Sequence, residues 1–413
     1  MDCIGRSMLA MLILFTYVFY HLMREKASAG LCFLFKRRCA IIGTMNRIYD
    51  KRLKRLARAQ REGRVDLLAI VPGANLRYLT GLVMHPSERI TLALFPTEAQ
   101  PLLLLPELEA LRAEANLQIG VSLYTYTDQE GPDAAFQRAV GDLDLVGKTV
   151  GVEHLHMRVL ELRQLQRYAS GSQFVDGEPL LSRLRIVKDD EEIKAMRRAA
   201  GVNEETFREV MVQIRPGATE LALATTWQKA ALDAGGDELP EAPIVASGPN
   251  AASPHVTATS RRIERGDLVI FDGFLRSQGY YSDITRTYAV GEIDKQLELI
   301  YSTVQEANDA AREIVKPGIK AQEVDAAARQ VIETAGYGEY FIHRTGHGLG
   351  LEIHEPPYMV EGNELTLQRG MTFTVEPGIY LPGRGGVRIE DDVLVTENGC
   401  ETLTTLPREL IRL

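Results

Sequence analysis

The chain has 413 residues, 45% hydrophobic, 25% charged and 7% aromatic, a composition that suits a globular protein of two or three domains and excludes a disordered or collagen-like chain. Its formal charge of -9 counts against nucleic acid as a partner, because backbone phosphates call for a basic surface. Four cysteines, Cys3, Cys32, Cys39 and Cys400, are too few and too scattered for a disulfide framework.

The first 44 residues stand apart. Residues 8–23 are nearly unbroken apolar sequence, and Lys36, Arg37 and Arg38 follow further on. The segment carries +4 (six Lys/Arg less two Asp/Glu), which leaves -13 for the remainder. Its apolar run falls short of the ~20 residues that span a bilayer, and no small-residue cleavage site follows it. Three readings stay open: a membrane anchor, a targeting segment, or an upstream extension ahead of Met45, which opens an ordinary amphipathic run. Residues 1–44 are therefore set outside the fold. The expected location is cytoplasmic, with membrane contact only if this segment acts as an anchor.

From Met45 helices and strands alternate. Residues 47–61 place Ile48, Leu53 and Leu56 among many charges, which predicts a surface helix. Short apolar runs at 67–71, 91–95, 102–105 and 149–152 predict strands, and residues 157–168 predict another helix. This alternation makes a small α/β domain over 45–180. Beyond it, Asp189, Asp190, Glu191 and Glu192 place acids in a first helical turn, where they suit the helix dipole. The second domain, 181–413, contains a faint internal repeat. Helices at 191–213 and 294–314 both run into Pro-Gly, at Pro216-Gly217 and Pro317-Gly318, and each is followed by a second helix, at an offset of 101 residues. Two such halves facing each other would create a site between them.

Acids sit where that site would form. Leu268-Val269-Ile270-Phe271-Asp272 is an apolar strand ending on a carboxylate, which is costly unless the charge is paired or bound to a metal. Asp283 follows on an alternating strand, so a hairpin would present Asp272 and Asp283 side by side. Two carboxylates that close resist joint ionisation unless a cation lies between them. The second half supplies matching pieces. Phe373-Thr374-Val375-Glu376 again ends on an acid, and Gly386 to Asp391 alternates, with Arg388 and Glu390 on one face. Between the pairs lie His343, His347 and His354, three of the eight histidines, and glycines around His347 allow close approach. The Gly-rich string there lacks the βα unit of a nucleotide loop. Four carboxylates and one imidazole suit two divalent ions of the Mn, Co or Zn type, and the implied chemistry is metal-assisted hydrolysis.

Asp272, Asp283, His347, Glu376 and Glu390 as a set resemble the metal-ligand pattern of the pita-bread (M24) metallopeptidases, in the branch of Xaa-Pro dipeptidases (prolidases) and Xaa-Pro aminopeptidases. The stretch Asn75-Leu76-Arg77-Tyr78-Leu79-Thr80-Gly81 is similar to the amino-terminal domain of prolidases and creatinases. The resemblance covers residues 45–413. It implies a creatinase-like α/β domain followed by an α+β pita-bread domain with a pseudo-two-fold repeat. It also implies two divalent metal ions, Mn²⁺ first and Co²⁺ or Zn²⁺ as substitutes, a homodimer, and proline-containing dipeptides or short peptides as substrates. By the same resemblance Asp283 and Glu390 bridge the metals, Asp272 binds one, and His347 and Glu376 bind the other. Glu376 is the general base, His255 steadies the intermediate, His354 lies near the substrate carbonyl, and His343 and Arg388 help hold the substrate proline or its carboxylate. The alternatives are a methionine aminopeptidase or creatinase relative, and a non-catalytic pita-bread binding module.

Overall fold

The computed structural model describes residues 30–413, with side chains described from Arg47 onward; the apolar run at 8–23 lies outside the described residues. The helix expected over 47–61 begins at Gly30 and ends at Gly63 (α1), because no proline interrupts the sequence upstream. Met45 accordingly lies inside a helix. Among the described residues no helix is long and apolar enough to cross a membrane. The chain divides into two compact units, one ending at Leu180 and the other spanning Leu181–Leu413.

The first unit is a six-stranded mixed sheet. Its strands are β1 (Leu67–Ile70), β2 (Leu92–Pro96), β3 (Leu102–Pro106), β4 (Ser122–Tyr126), β5 (Thr149–Val152) and β6 (Gln173–Asp176), in the order β4-β3-β2-β1-β5-β6. β1 is central. It runs antiparallel to β2 and parallel to β5, and its four residues are fully buried, which is why it reads as a continuous apolar run. The buried carboxylate of Glu153, just past β5, accepts from the Val71 amide at 2.6 Å and from Asn75 Nδ2 at 2.7 Å. That tie fixes the Asn75-to-Gly81 stretch, whose short helix Ala74–Thr80 is closed by Gly81 at φ 78°. β4 and β6 are half-exposed edge strands that the sequence pattern does not announce.

The second unit repeats one motif. Helix α2 (Asp190–Met211) starts from a capping box in which Asp189 accepts from the amides of Glu191 and Glu192, so Asp190, Glu191 and Glu192 sit in the first turn as read from sequence, while Asp189 caps it. Helix α3 (Glu220–Asp233) follows. Strand β7 (Ile244–Ser247) then joins the hairpin of β8 (Leu268–Ser277) and β9 (Tyr280–Ala289). The pattern returns with α4 (Lys295–Glu313) and α5 (Ala321–Thr334). Gly217 and Gly318, after the first helix of each half, have φ of 87° and 97°, a conformation that favours glycine. The later strands are β10 (Gly346–Gly348), β11 (Glu355–Met359), β12 (Thr372–Val375), β13 (Gly378–Leu381), β14 (Gly385–Arg388), β15 (Asp391–Val395) and β16 (Cys400–Thr402). Five form a sheet in the order β11-β10-β12-β15-β16, and β13 pairs with β14.

Each half suspends its acid-bearing strands from one buried asparagine. Asn203 on α2 donates to the carbonyls of Gly273 (2.8 Å) and Ser282 (3.2 Å), next to Asp272 and Asp283. Asn308 on α4 donates to the carbonyls of Val375 (2.9 Å) and Ile389 (3.2 Å), next to Glu376 and Glu390. The repeat is thus structural as well as sequential.

Candidate metal centre

Strand pairing brings the acids to one place. In the β8–β9 hairpin Asp272 faces Thr285 and Asp283 faces Phe274, so both carboxylates leave the same face, two residues apart in register. In the second half Val375 pairs with Asp391, so Glu376 and Glu390 flank that pair. A bridge between Thr285 and Glu390 joins the two halves, and Thr285 Oγ1 donates to Glu390 Oε2 at 2.7 Å. The alternating stretch around Arg388 is interrupted, because the chain passes from β14 into β15 between Arg388 and Asp391. Val387 and Ile389 are nevertheless fully buried, while Arg388 and Glu390 face the cavity.

All five expected ligands line one cavity of about 860 Å³, and so do His255, His343, His354 and Arg388. Ligand atoms of Asp283, His347 and Glu390 lie within 4.8 Å of one another. His347 Nε2 is 3.3 Å from Glu376 Oε1 and 3.8 Å from Asp283 Oδ2. Asp272 is engaged otherwise, since Arg388 Nη2 donates to its Oδ2 at 2.6 Å. His354 packs edge-on against His347, with ring centroids 4.2 Å apart.

The cluster fits a cation. Among the described residues Asp283 Oδ1 and Glu390 Oε1 are buried with no hydrogen-bond partner, a costly condition for a carboxylate. Burial first, then Asp272 and Glu376, pushes the Asp283 carboxyl well above the usual carboxylate range; burial and Asp283 do the same to Glu390. Glu376 is pushed up to about 7, again chiefly by burial. His347 is lowered to about 3 by burial and by His354, so it is neutral. Its Nδ1 reaches the Gly348 carbonyl at 3.1 Å and must carry the proton. Nε2 then points a bare lone pair at carboxylate oxygens. Lone pairs gathered like this repel unless a positive ion lies among them.

Several supports were not legible from the sequence. Tyr380 Oη accepts from Arg388 Nη1 at 2.7 Å and lies 2.9 Å from His343 Nε2. Because His343 Nδ1 bonds the Arg344 carbonyl at 2.8 Å, that proton belongs to Nδ1, and Tyr380 donates to Nε2. Burial and Arg388 lower His343 to about 4. Arg286 is buried and donates to the carbonyls of Thr285 (2.8 Å), Glu390 (2.6 Å) and Leu406 (2.8 Å) and to Asp391 Oδ1 (2.8 Å). Glu220, at the start of α3, accepts from the amide and hydroxyl of both Ser247 and Thr259, and so anchors the two ends of the loop that carries His255. Beneath Asp272, Gly273 leaves room for the indole of Trp227, since a Cβ there would fall 2.7 Å from the ring. Their partners lie far away in sequence, so no local signal marks them.

Both units have counterparts among known proteins. The profile of metallopeptidase family M24 matches residues 194–397, and that of the creatinase/prolidase N-terminal domain matches residues 52–187. A probable dipeptidase, PepE, of Mycobacterium tuberculosis is 40% identical over 368 residues, 88% of this chain and 96% of the relative. An Xaa-Pro dipeptidase of Pyrococcus horikoshii is 35% identical over 364 residues, 88% of this chain and 99% of its own length. The crystal structure of a prolidase from Thermococcus sibiricus superposes with a TM-score of 0.84 at 36% identity, covering 88% of this chain and 99% of that one.

Proposed function

Because this chain belongs to metallopeptidase family M24, with a creatinase/prolidase N-terminal domain ahead of a pita-bread catalytic domain, we propose that it is an Xaa-Pro dipeptidase. The single observation that carries the catalytic reading is the pair of orphaned, buried oxygens on Asp283 and Glu390 beside the bare Nε2 of His347. Relatives named Xaa-Pro dipeptidase and prolidase, similar over most of both chains, support the substrate class. The cavity lies within the ~300–1,000 Å³ of small-ligand sites. The amino-terminal domain counts against a methionine aminopeptidase, and the intact acids count against a creatinase or a non-catalytic module.

Asp283 and Glu390 would bridge two divalent ions, with Asp272 completing one and His347 and Glu376 the other. Mn²⁺ is the metal we propose, with Co²⁺ or Zn²⁺ as substitutes that the same donors suit. Bound there, the ions would supply Lewis-acid polarisation of the scissile carbonyl and an activated water. Glu376 takes the proton from the attacking water and returns it to the leaving proline nitrogen, as a general base and then a general acid. His255 and His354 steady the charge that develops on the carbonyl oxygen. His343 and Arg388, joined through Tyr380, wall the cavity where the proline ring sits. A cytoplasmic homodimer completes the reading.

The test is hydrolysis of Ala-Pro and Ala-Pro-Ala by metal-stripped protein resupplied with Mn²⁺ or Co²⁺. Cleavage of Ala-Pro alone is the expected result. Cleavage of the tripeptide at the Ala-Pro bond would make the enzyme an aminopeptidase, and no cleavage of either would remove the proline assignment.

A further inference from the structure

We propose that Arg344 reads the free carboxylate of the substrate and thereby restricts cleavage to dipeptides. This rests on the Xaa-Pro reading above and assigns its length specificity to one side chain.

The cavity is lined by three arginines, Arg276, Arg344 and Arg388. Arg276 is neutralised: its Nη2 donates to Glu238 at 2.5 Å, and Asp237 lies 3.8 Å from its Nε. Arg388 is buried and bound to Asp272 Oδ2 at 2.6 Å and to Tyr380 Oη at 2.7 Å. Arg344 differs. Among the described residues its guanidinium has no carboxylate within 4.0 Å and no hydrogen-bond acceptor. Its neighbour is the ring of Tyr358, whose centroid lies 4.5 Å from Cζ.

That arrangement prepares a carboxylate receptor. Stacking holds the guanidinium against an aromatic face and leaves its edge N–H groups free to fork onto two oxygens. Tyr358 is itself fixed, because its carbonyl accepts from Asn363 Nδ2 at 2.6 Å and its cross-strand partner is His347. Arg344 lines the same cavity as His347, His354 and Glu376, which places it beside the reacting groups. His343 cannot serve instead, since both ring nitrogens are occupied by the Arg344 carbonyl and Tyr380 Oη. In Xaa-Pro the free carboxylate lies one residue beyond the scissile bond. In a longer peptide the same position holds a neutral amide that offers no charge to the fork.

The experiment compares kcat/KM for Ala-Pro and Ala-Pro amide with the Mn²⁺-loaded full chain, as wild type, Arg344→Gln and Arg344→Lys. Wild type should prefer the acid by ~10- to 100-fold, the order expected of charge-assisted hydrogen bonds, and Arg344→Gln should bring that ratio to within about threefold of one, chiefly through KM. Arg344→Lys should keep part of the preference, because a point charge replaces the fork. Metal content and circular dichroism of the variants check that the site is intact. A wild-type preference that survives in Arg344→Gln overturns the inference, as does a wild type that cuts acid and amide equally, while the Xaa-Pro reading stands in both cases. If neither compound is cut, that reading falls and the inference with it.

Discussion

Replacing Glu390 by glutamine should stabilise the protein without metal and destabilise it relative to wild type with metal. The reason lies in the spacing of the acids. Two unit charges at 4.8 Å, the outer limit for the ligand atoms of Asp283, His347 and Glu390, repel by about 3.5 kcal/mol at an effective dielectric of ~20. Protonation of one acid is the competing escape, and the raised pKa values of Asp283 and Glu390 have that meaning. The amide removes the charge but keeps an acceptor for Thr285 Oγ1. Its buried NH₂ should forfeit about 1 kcal/mol for want of a partner. The net gain is at most about 2.5 kcal/mol, or roughly 5–10 °C in Tm for a unit of this size. Added Mn²⁺ should reverse the order, since ligand at 100 times Kd adds about 2.7 kcal/mol to wild type only. The assay is a pair of thermal melts per protein near neutral pH, one in chelator and one in Mn²⁺. A chelated variant that melts at or below wild type would show that the acids are not in mutual repulsion and need no cation between them.

Two further outcomes are expected. Arg286→Met should cost about 3–5 kcal/mol in denaturant unfolding, because Asp391 would be left buried with one cation fewer, and it should release metal at lower chelator concentrations by loosening the Glu390 backbone; unchanged metal retention would deny Arg286 that positioning role. Burial pushes Glu153 up to about 7 from an ordinary 4.5, so the folded first unit keeps a proton that the unfolded chain gives up. Its stabilising contribution is complete below the unfolded value and is lost as pH rises through about 7, a change of about 3 kcal/mol. Urea unfolding of wild type and Glu153→Gln across that interval should diverge in slope, and parallel curves would refute the assignment.

What could be read in advance was whatever a strand or helix writes locally. An apolar run that ends on Asp272 or Glu376 violates the usual separation of charge and core, so those acids were visible. The Pro-Gly punctuation at Pro216-Gly217 and Pro317-Gly318 disclosed the repeat. β4 and β6 escaped because half-exposed edge strands carry too few buried side chains to show a pattern. Asn203, Asn308, Arg286, Glu220 and Tyr380 escaped for a different reason. A lone polar residue on a helix or strand looks like ordinary surface until the chain brings its partner, in some cases more than a hundred residues away, into contact. The distinction among the three arginines of the cavity was invisible for the same cause, since it depends on which of them already has an acid.

Trp227 is the only tryptophan in the chain. It is fully buried, its Nε1 has no hydrogen-bond partner among the described residues, and it rests against the backbone of the residue after Asp272. The protein therefore carries one indole fluorophore, shielded from water and adjacent to the strand that presents an acid to the centre. Its emission should be blue-shifted in the native state. Because the first unit holds no indole of its own, a red shift during denaturation would time the collapse of the catalytic unit alone, while circular dichroism followed both.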